Sequence, residues 1–154
     1  MASSRTVANE FLRLARSNND SLTPMQVLKL VYIAHGWMLG LYGRPLIDDQ
    51  IQAWQYGPVI PALYNELRGY KGQPVTKPIS VWFPETLEPE SQNMVEQVYK
   101  IYGHRTGPDL SMLTHAPGTP WHLTYKPGVF GSVISTDLIE DHYRRLAVQR
   151  GAAN

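Results

Sequence analysis

From Leu22 to Tyr42 the chain carries apolar side chains almost all round: LTPMQVLKLVYIAHGWMLGLY. Thr23 is placed to cap a helix, Pro24 suits its first turn, and Gln26 completes a capping box. Val27, Val31, Ala34, Met38 and Leu41 line one face of that helix, and Leu28, Tyr32, Leu39 and Tyr42 line another. A helix apolar on every side is a central one, wrapped by its neighbours. Gly43 should stop it, with Arg44-Pro45 turning the chain away.

The remaining pattern predicts a set of shorter helices around this rod. A first helix is expected over about Arg5–Arg16, capped by Ser3 or Ser4, with Val7, Phe11, Leu14 and Ala15 inward. After the central helix, Pro45–Ile47 and Ile51–Gln55 read as extended, and a small hairpin is expected there. Tyr56-Gly57-Pro58 should then launch a third helix, about Val59–Arg68, with Val59, Leu63 and Leu67 inside. Tyr70–Pro89 is too rich in Gly and Pro for a long helix. The alternation of Ile79, Val81 and Phe83 suggests a short edge segment within it, and so long an irregular connection is often functional. A fourth helix is expected over about Pro89–Tyr102, burying Met94, Val95, Val98, Ile101 and Tyr102. A short one follows near Pro108–Thr114, with Leu110 and Leu113 inward. Thr119-Pro120 should start a helical turn, KPGVFGS reads as loop, and a last helix capped by Ser135 or Thr136 should end near Arg150. The fold class is thus mainly α: one compact multi-helix domain over 1–154, core about 5–149, around a buried central helix with a small β element. Residues 150–154 are expected as a flexible tail.

Composition narrows the function. The 154 residues include 14 Lys and Arg against 13 Asp and Glu, a formal net charge of +1. That balance gives no overall electrostatic reason to expect nucleic acid. With no cysteine, disulfides, thiolate metal sites and cysteine nucleophiles are excluded. The N-terminus lacks the apolar core of a secretory signal, and the run Leu30–Tyr42 is shorter than the roughly 20 residues a membrane span requires. A soluble, cytoplasmic protein is the expectation.

Chemistry-bearing motifs are sparse. The five histidines show no HExxH spacing, and no GxSxG is present. His35, mid-helix among apolar residues, reads as a hydrogen-bonded core histidine. Ser111, close in sequence to Asp109 and His115, is a local coincidence unless a fold brings a triad together. Gly36 and Gly40 form a GxxxG within the helix, permitting close approach of a neighbour. No catalytic residue, cofactor or metal is assigned, and the chain does not read as an enzyme. Aromatics are the stronger signal. Trp37 reads as core, while for Trp54, Tyr56 and Trp121 core filling and partner anchoring both stand open, since Trp and Tyr dominate interface hot spots.

The runs LTPMQVLKLVYIAHGW, LYGRPL, AWQYGPVIPALY and THAPGTPW, with the closing ISTDLIEDHY, closely resemble the Panacea domain family over about Leu12–Tyr143. This family includes SocA-like and GepA-like proteins common on prophages and mobile elements. The resemblance implies a mainly helical antitoxin of a toxin–antitoxin pair that neutralises its cognate toxin by direct binding. In one branch it implies an adaptor that hands the toxin to a ClpXP-type protease. It carries no catalytic residues. It carries signature positions: Gly57 and Pro58 of the YGP turn, and His115, Pro120 and Trp121 of the TH…PW loop. Trp54, Tyr56, Gly57, Pro58, His115 and Trp121 make the candidate partner-binding set. The basic end from Arg144 departs from the family's expected closing segment. A homodimer remains open. The competing readings are a DNA-binding regulator, which needs Arg13, Arg16, Arg144, Arg145 and Arg150 on one face, and a hydrolase, which needs His115 or His122 beside a nucleophile.

Overall fold

The computed structural model describes residues 1–153, with side chains as far as residue 151. Helix α1 (Ser4–Ser17) is capped by Ser3, whose hydroxyl accepts from the Thr6 amide. Helix α2 (Pro24–Tyr42) begins with the full Thr23/Gln26 capping box and ends at Gly43 in the left-handed region, φ 68°. Every residue from Val27 to Leu39 is buried, so α2 is the axis of the fold.

The strongest packing on α2 comes from the last helix, α7 (Thr136–Ala153). Tyr143 lies against the two glycines of the GxxxG. A Cβ added at Gly36 would fall 2.2 Å from the Tyr143 ring, and one at Gly40 would fall 2.7 Å from the Tyr143 backbone carbon. The glycines therefore seat a neighbouring helix, as their spacing suggested. Tyr143 completes the contact by meeting Trp37 edge-on at 5.1 Å. The helix runs through 150–153, the stretch expected as tail, because Arg150 lies over the Trp37 ring at 4.7 Å and donates to the Tyr102 hydroxyl. Residue 154 lies outside the described residues.

His35 is the core histidine its surroundings implied. Its Nδ1 accepts from the amides of Leu46 and Ile47 at 3.2 and 3.4 Å. Burial pushes it down to about 4, with the Asp49 carboxylate opposing. The segment it holds is also tied to the N-terminus, through Ala2 N to Leu46 O and Asp48 N to Ala2 O.

Three strands make one small antiparallel sheet in the order β2-β1-β3. They are β1 (Gln52–Trp54), β2 (Gly57–Val59) and β3 (Ser132–Val133). Two expectations are corrected here. Gly57–Val59 is a strand, so the third helix starts later, as α3 (Pro61–Leu67). Pro58 sits in β2, an edge strand where a missing donor is tolerated. Second, part of the expected KPGVFGS loop joins β1 as β3, with Ala53 opposite Ser132.

A 3₁₀ turn over Arg68–Tyr70 follows α3, and then a long irregular segment. Ile79 in that segment is buried and held by Asn9, whose amide group exchanges two hydrogen bonds with the Ile79 backbone. No strand forms at Val81–Phe83; Trp82 and Phe83 are exposed, Trp82 to 85%. Helices α4 (Pro89–Tyr102), α5 (Gly107–Thr114) and α6 (Pro120–Thr124) complete the chain. Leu41, Tyr42, Ile101 and Leu113, expected inside, are exposed. Leu12, Ala8 and Tyr99 are buried in addition to the expected stripes.

Candidate functional site

The six candidate partner-binding residues converge on the β1–β2 hairpin. Trp54 closes β1 opposite Gly57, and Gln55-Tyr56 form the two-residue turn between them. Two side chains from the later helices brace this turn. The Trp121 indole N–H, from α6, donates to the Trp54 carbonyl. The Ser111 hydroxyl, from α5, donates to the Tyr56 carbonyl at 3.0 Å. His115 stands between the two braces, with Nδ1 3.3 Å from Ser111 Oγ and its ring edge-on to Trp121 at 5.4 Å. Trp121 in turn stacks on Tyr125 at 4.9 Å. The TH…PW loop and the YGP turn are thus one mechanical unit, in which Trp121 and Ser111 brace the hairpin and His115 packs between them.

Gly57 has φ +128°, a region that L side chains rarely adopt. Space explains the glycine as well: a Cβ there would lie 2.8 Å from Lys29 Nζ. Lys29 belongs to α2 and is almost wholly buried, its ammonium donating to the Pro58 carbonyl at 2.9 Å. Burial alone pushes it down to about 8, so it remains cationic at neutral pH. Sequence reasoning passed over this residue. The available signal was that Lys29 is the one charged side chain in an otherwise apolar α2.

Between α2, the hairpin, α3 and α5 lies a cavity of about 510 Å³ whose lining includes Lys29, Trp54, Tyr56, Tyr64, Ser111 and Phe130. That volume is within the range of ordinary ligand pockets. Trp54 meets Tyr64 edge-on at 4.9 Å and Phe130 at 5.1 Å. Tyr56 is 72% exposed and Phe130 79% exposed, so two aromatic rings stand in solvent at its margin. The candidate set therefore divides by position. Tyr56 offers surface, Trp54 forms a wall, and Gly57, Pro58, His115 and Trp121 build the support.

The chain belongs to a known family. The family model described as "Antitoxin SocA-like, Panacea domain" matches residues 27–122, a span that holds all six candidate residues. A curated relative, Antitoxin SocA of Caulobacter vibrioides (strain NA1000 / CB15N), is 29% identical over 153 residues, covering 91% of this chain and 81% of the relative. No solved structure matches the chain. Membership supports an antitoxin role, which implies a toxin as partner.

The competing chemistries find these arrangements. Ser111 and His115 are adjacent, but the serine hydroxyl is committed to the Tyr56 carbonyl, and His115 has no carboxylate hydrogen-bond partner among the described residues. His122 Nδ1 accepts from the Gly118 amide. Among the described residues, no group of three or more His, Asp or Glu side chains is placed to hold a metal. Among the described residues, no helix is long and apolar enough to cross a membrane. Of the arginines a DNA surface would need, Arg13 pairs with Glu10, Arg144 with Glu140 and Arg145 with Asp141. Neighbouring carboxylates thus offset much of that charge.

Proposed function

We propose that this chain neutralises a toxin in the cytoplasm by binding it directly, without catalysis, through the face around the β1–β2 hairpin. The observation that carries this reading is an exposed aromatic turn that the fold braces from behind. Tyr56 stands in solvent while Ser111 and Trp121 hold the carbonyls on either side of the turn. Ordering the turn before binding lowers the entropy lost on association, and exposed Tyr and Phe supply hot-spot area. Surrounding polar groups supply a rim. Delivery of the bound toxin to a ClpXP-type protease is a variant of the same reading, as is action as a homodimer.

The test is co-expression with the product of an adjacent gene, scored by growth rescue and by pull-down. Rescue with a stable complex, lost on Tyr56→Ala together with Phe130→Ala, is expected for occlusion. Rescue in which the toxin disappears unless the protease is deleted would identify the adaptor route. A wild-type chain that gives neither rescue nor complex refutes direct neutralisation of that neighbour.

A further inference from the structure

The cavity beside the hairpin has a chemical character that an aromatic patch alone does not require. Its lining includes Lys29, a buried lysine in the second turn of the central helix. An apolar residue of similar length would fill that position without removing a charge from water, which is costly unless the charge is paired. The fold supplies Lys29 with one hydrogen bond, to the Pro58 carbonyl, although an ammonium carries three donors. No carboxylate lies within ion-pairing distance of it among the described residues.

Two further cations, Arg68 and Lys71, line the same cavity, and no Asp or Glu lines it. They too lack an acidic partner among the described residues. Elsewhere, Arg5 pairs with Glu66, Arg44 with Glu88 and Glu90, and Arg144 and Arg145 with carboxylates of their own helix. Other surface cations such as Arg16, Lys77 and Lys126 also lack an acidic partner among the described residues; what sets the cavity apart is that three such cations share one lining. Glu66, on α3 itself, is turned to Arg5 rather than to this cavity. Three cations of one sign around apolar walls are therefore left without a counter-charge.

We propose that this cavity receives a short acidic segment of the toxin, its carboxylate seated on Lys29 and flanked by Arg68 and Lys71, with a neighbouring apolar side chain against Trp54, Tyr64 and Phe130. The proposal rests on the direct-binding reading and specifies its chemistry. A Cβ at position 57 would lie 2.8 Å from the ammonium, so a side chain there would have to displace it. A phosphate-bearing polymer is disfavoured because the chain's net charge is only +1.

The experiment uses the full chain and the product of the adjacent gene, first as the whole protein and then as overlapping 15-residue peptides. Wild type is expected to bind peptides that combine Asp or Glu with an aliphatic or aromatic residue. Lys29→Met should weaken binding of both peptide and whole toxin by about a hundredfold or more, as removal of one partner from a buried charge pair does. Arg68→Ala with Lys71→Ala, at exposed positions that put no folding at risk, should weaken binding by several-fold. Equal binding of the toxin by wild type, Lys29→Met and the double variant would overturn the cavity proposal while leaving direct binding intact. Wild type that binds no toxin would overturn both. Displacement of a bound acidic peptide by a single-stranded oligonucleotide at equal concentration would overturn the choice of a protein segment.

Discussion

Lys29→Met should stabilise the free protein even as it weakens partner binding. At neutral pH the ammonium is charged in both folded and unfolded chains, so the folded state bears its desolvation in full. The depression from 10.5 to about 8 corresponds to about 3 kcal/mol at 1.36 kcal/mol per pH unit. Methionine keeps the length and removes the charge, at the loss of one hydrogen bond to the Pro58 carbonyl, about 1–2 kcal/mol. The balance is a gain of about 1–2 kcal/mol, or about 3–6 °C in Tm for a domain of this size. Linkage gives a second, independent signature. Between pH 8 and 10.5 the folded lysine is mostly neutral while the unfolded one is protonated, so the unfolded state binds more protons and wild-type stability rises with pH. The advantage of the variant should shrink through that window and reverse above it, where only the lost hydrogen bond remains and the variant is less stable by about 1–2 kcal/mol. Urea denaturation of both proteins at pH 7, 8.5 and 10 measures it. A variant less stable than wild type by more than about 1 kcal/mol, with a difference independent of pH, would refute the reasoning, because the ammonium would then cost the fold nothing.

The other expectations concern the core and the hairpin brace. Gly40→Ala gains up to about 1 kcal/mol of helix propensity but drives a methyl into the Tyr143 and Arg144 backbone; a net loss of about 2 kcal/mol in chemical denaturation is expected. Tyr32 is wholly buried and its hydroxyl has no hydrogen-bond partner among the described residues, so Tyr32→Phe should leave thermal stability unchanged or raise it by about 1 kcal/mol. His35 is held down to about 4, against about 6.5 unfolded. Stability from this group is full above pH 6.5 and is lost as pH falls toward 4, by about 3 kcal/mol, a loss visible in acid titration of the unfolding midpoint. Trp121→Phe removes the bond to the Trp54 carbonyl and should lower stability by about 1 kcal/mol while speeding amide exchange at Tyr56 and Gly57.

What the sequence revealed follows the range of the interactions involved. Thr23, Pro24, Gln26 and Gly43 fixed both ends of α2 because capping is settled within a few residues. The GxxxG announced a close neighbour for the same reason, without saying that the neighbour is Tyr143. Gly57–Val59 was misread as a helix start because a proline before an apolar run resembles one. Only pairing with Ala53 makes it a strand, and only the edge position lets Pro58 stay. Leu41, Ile101 and Leu113 satisfy helical periodicity yet face solvent, since periodicity locates a stripe and not its limits. Residue type singled out Trp54, Tyr56 and Trp121, and the family motif added Gly57, Pro58 and His115. Their meeting at one hairpin depends on α5 and α6 folding back, which no local pattern encodes. Lys29 was hidden because its role depends on burial, and one lysine in a helix ordinarily reads as its solvent face.

The division between braces and contacts governs how mutations at this site must be read. Gly57, Trp121 and Ser111 hold the hairpin in place, so replacing any of them should weaken binding through the hairpin's position. Their losses should come with lower stability or faster exchange in the free protein, because the same hydrogen bonds serve both states. Tyr56 and Phe130 are exposed and should weaken binding with little change in stability. Lys29 separates from both groups, since its loss should raise stability while lowering affinity. A buried charge retained against the interest of the fold is the pattern of a residue kept for function. That opposition of sign, more than the size of either effect, distinguishes a recognition lysine from one that merely caps the Pro58 carbonyl. A capping lysine would stabilise the fold, and its replacement by methionine would lower affinity and stability together.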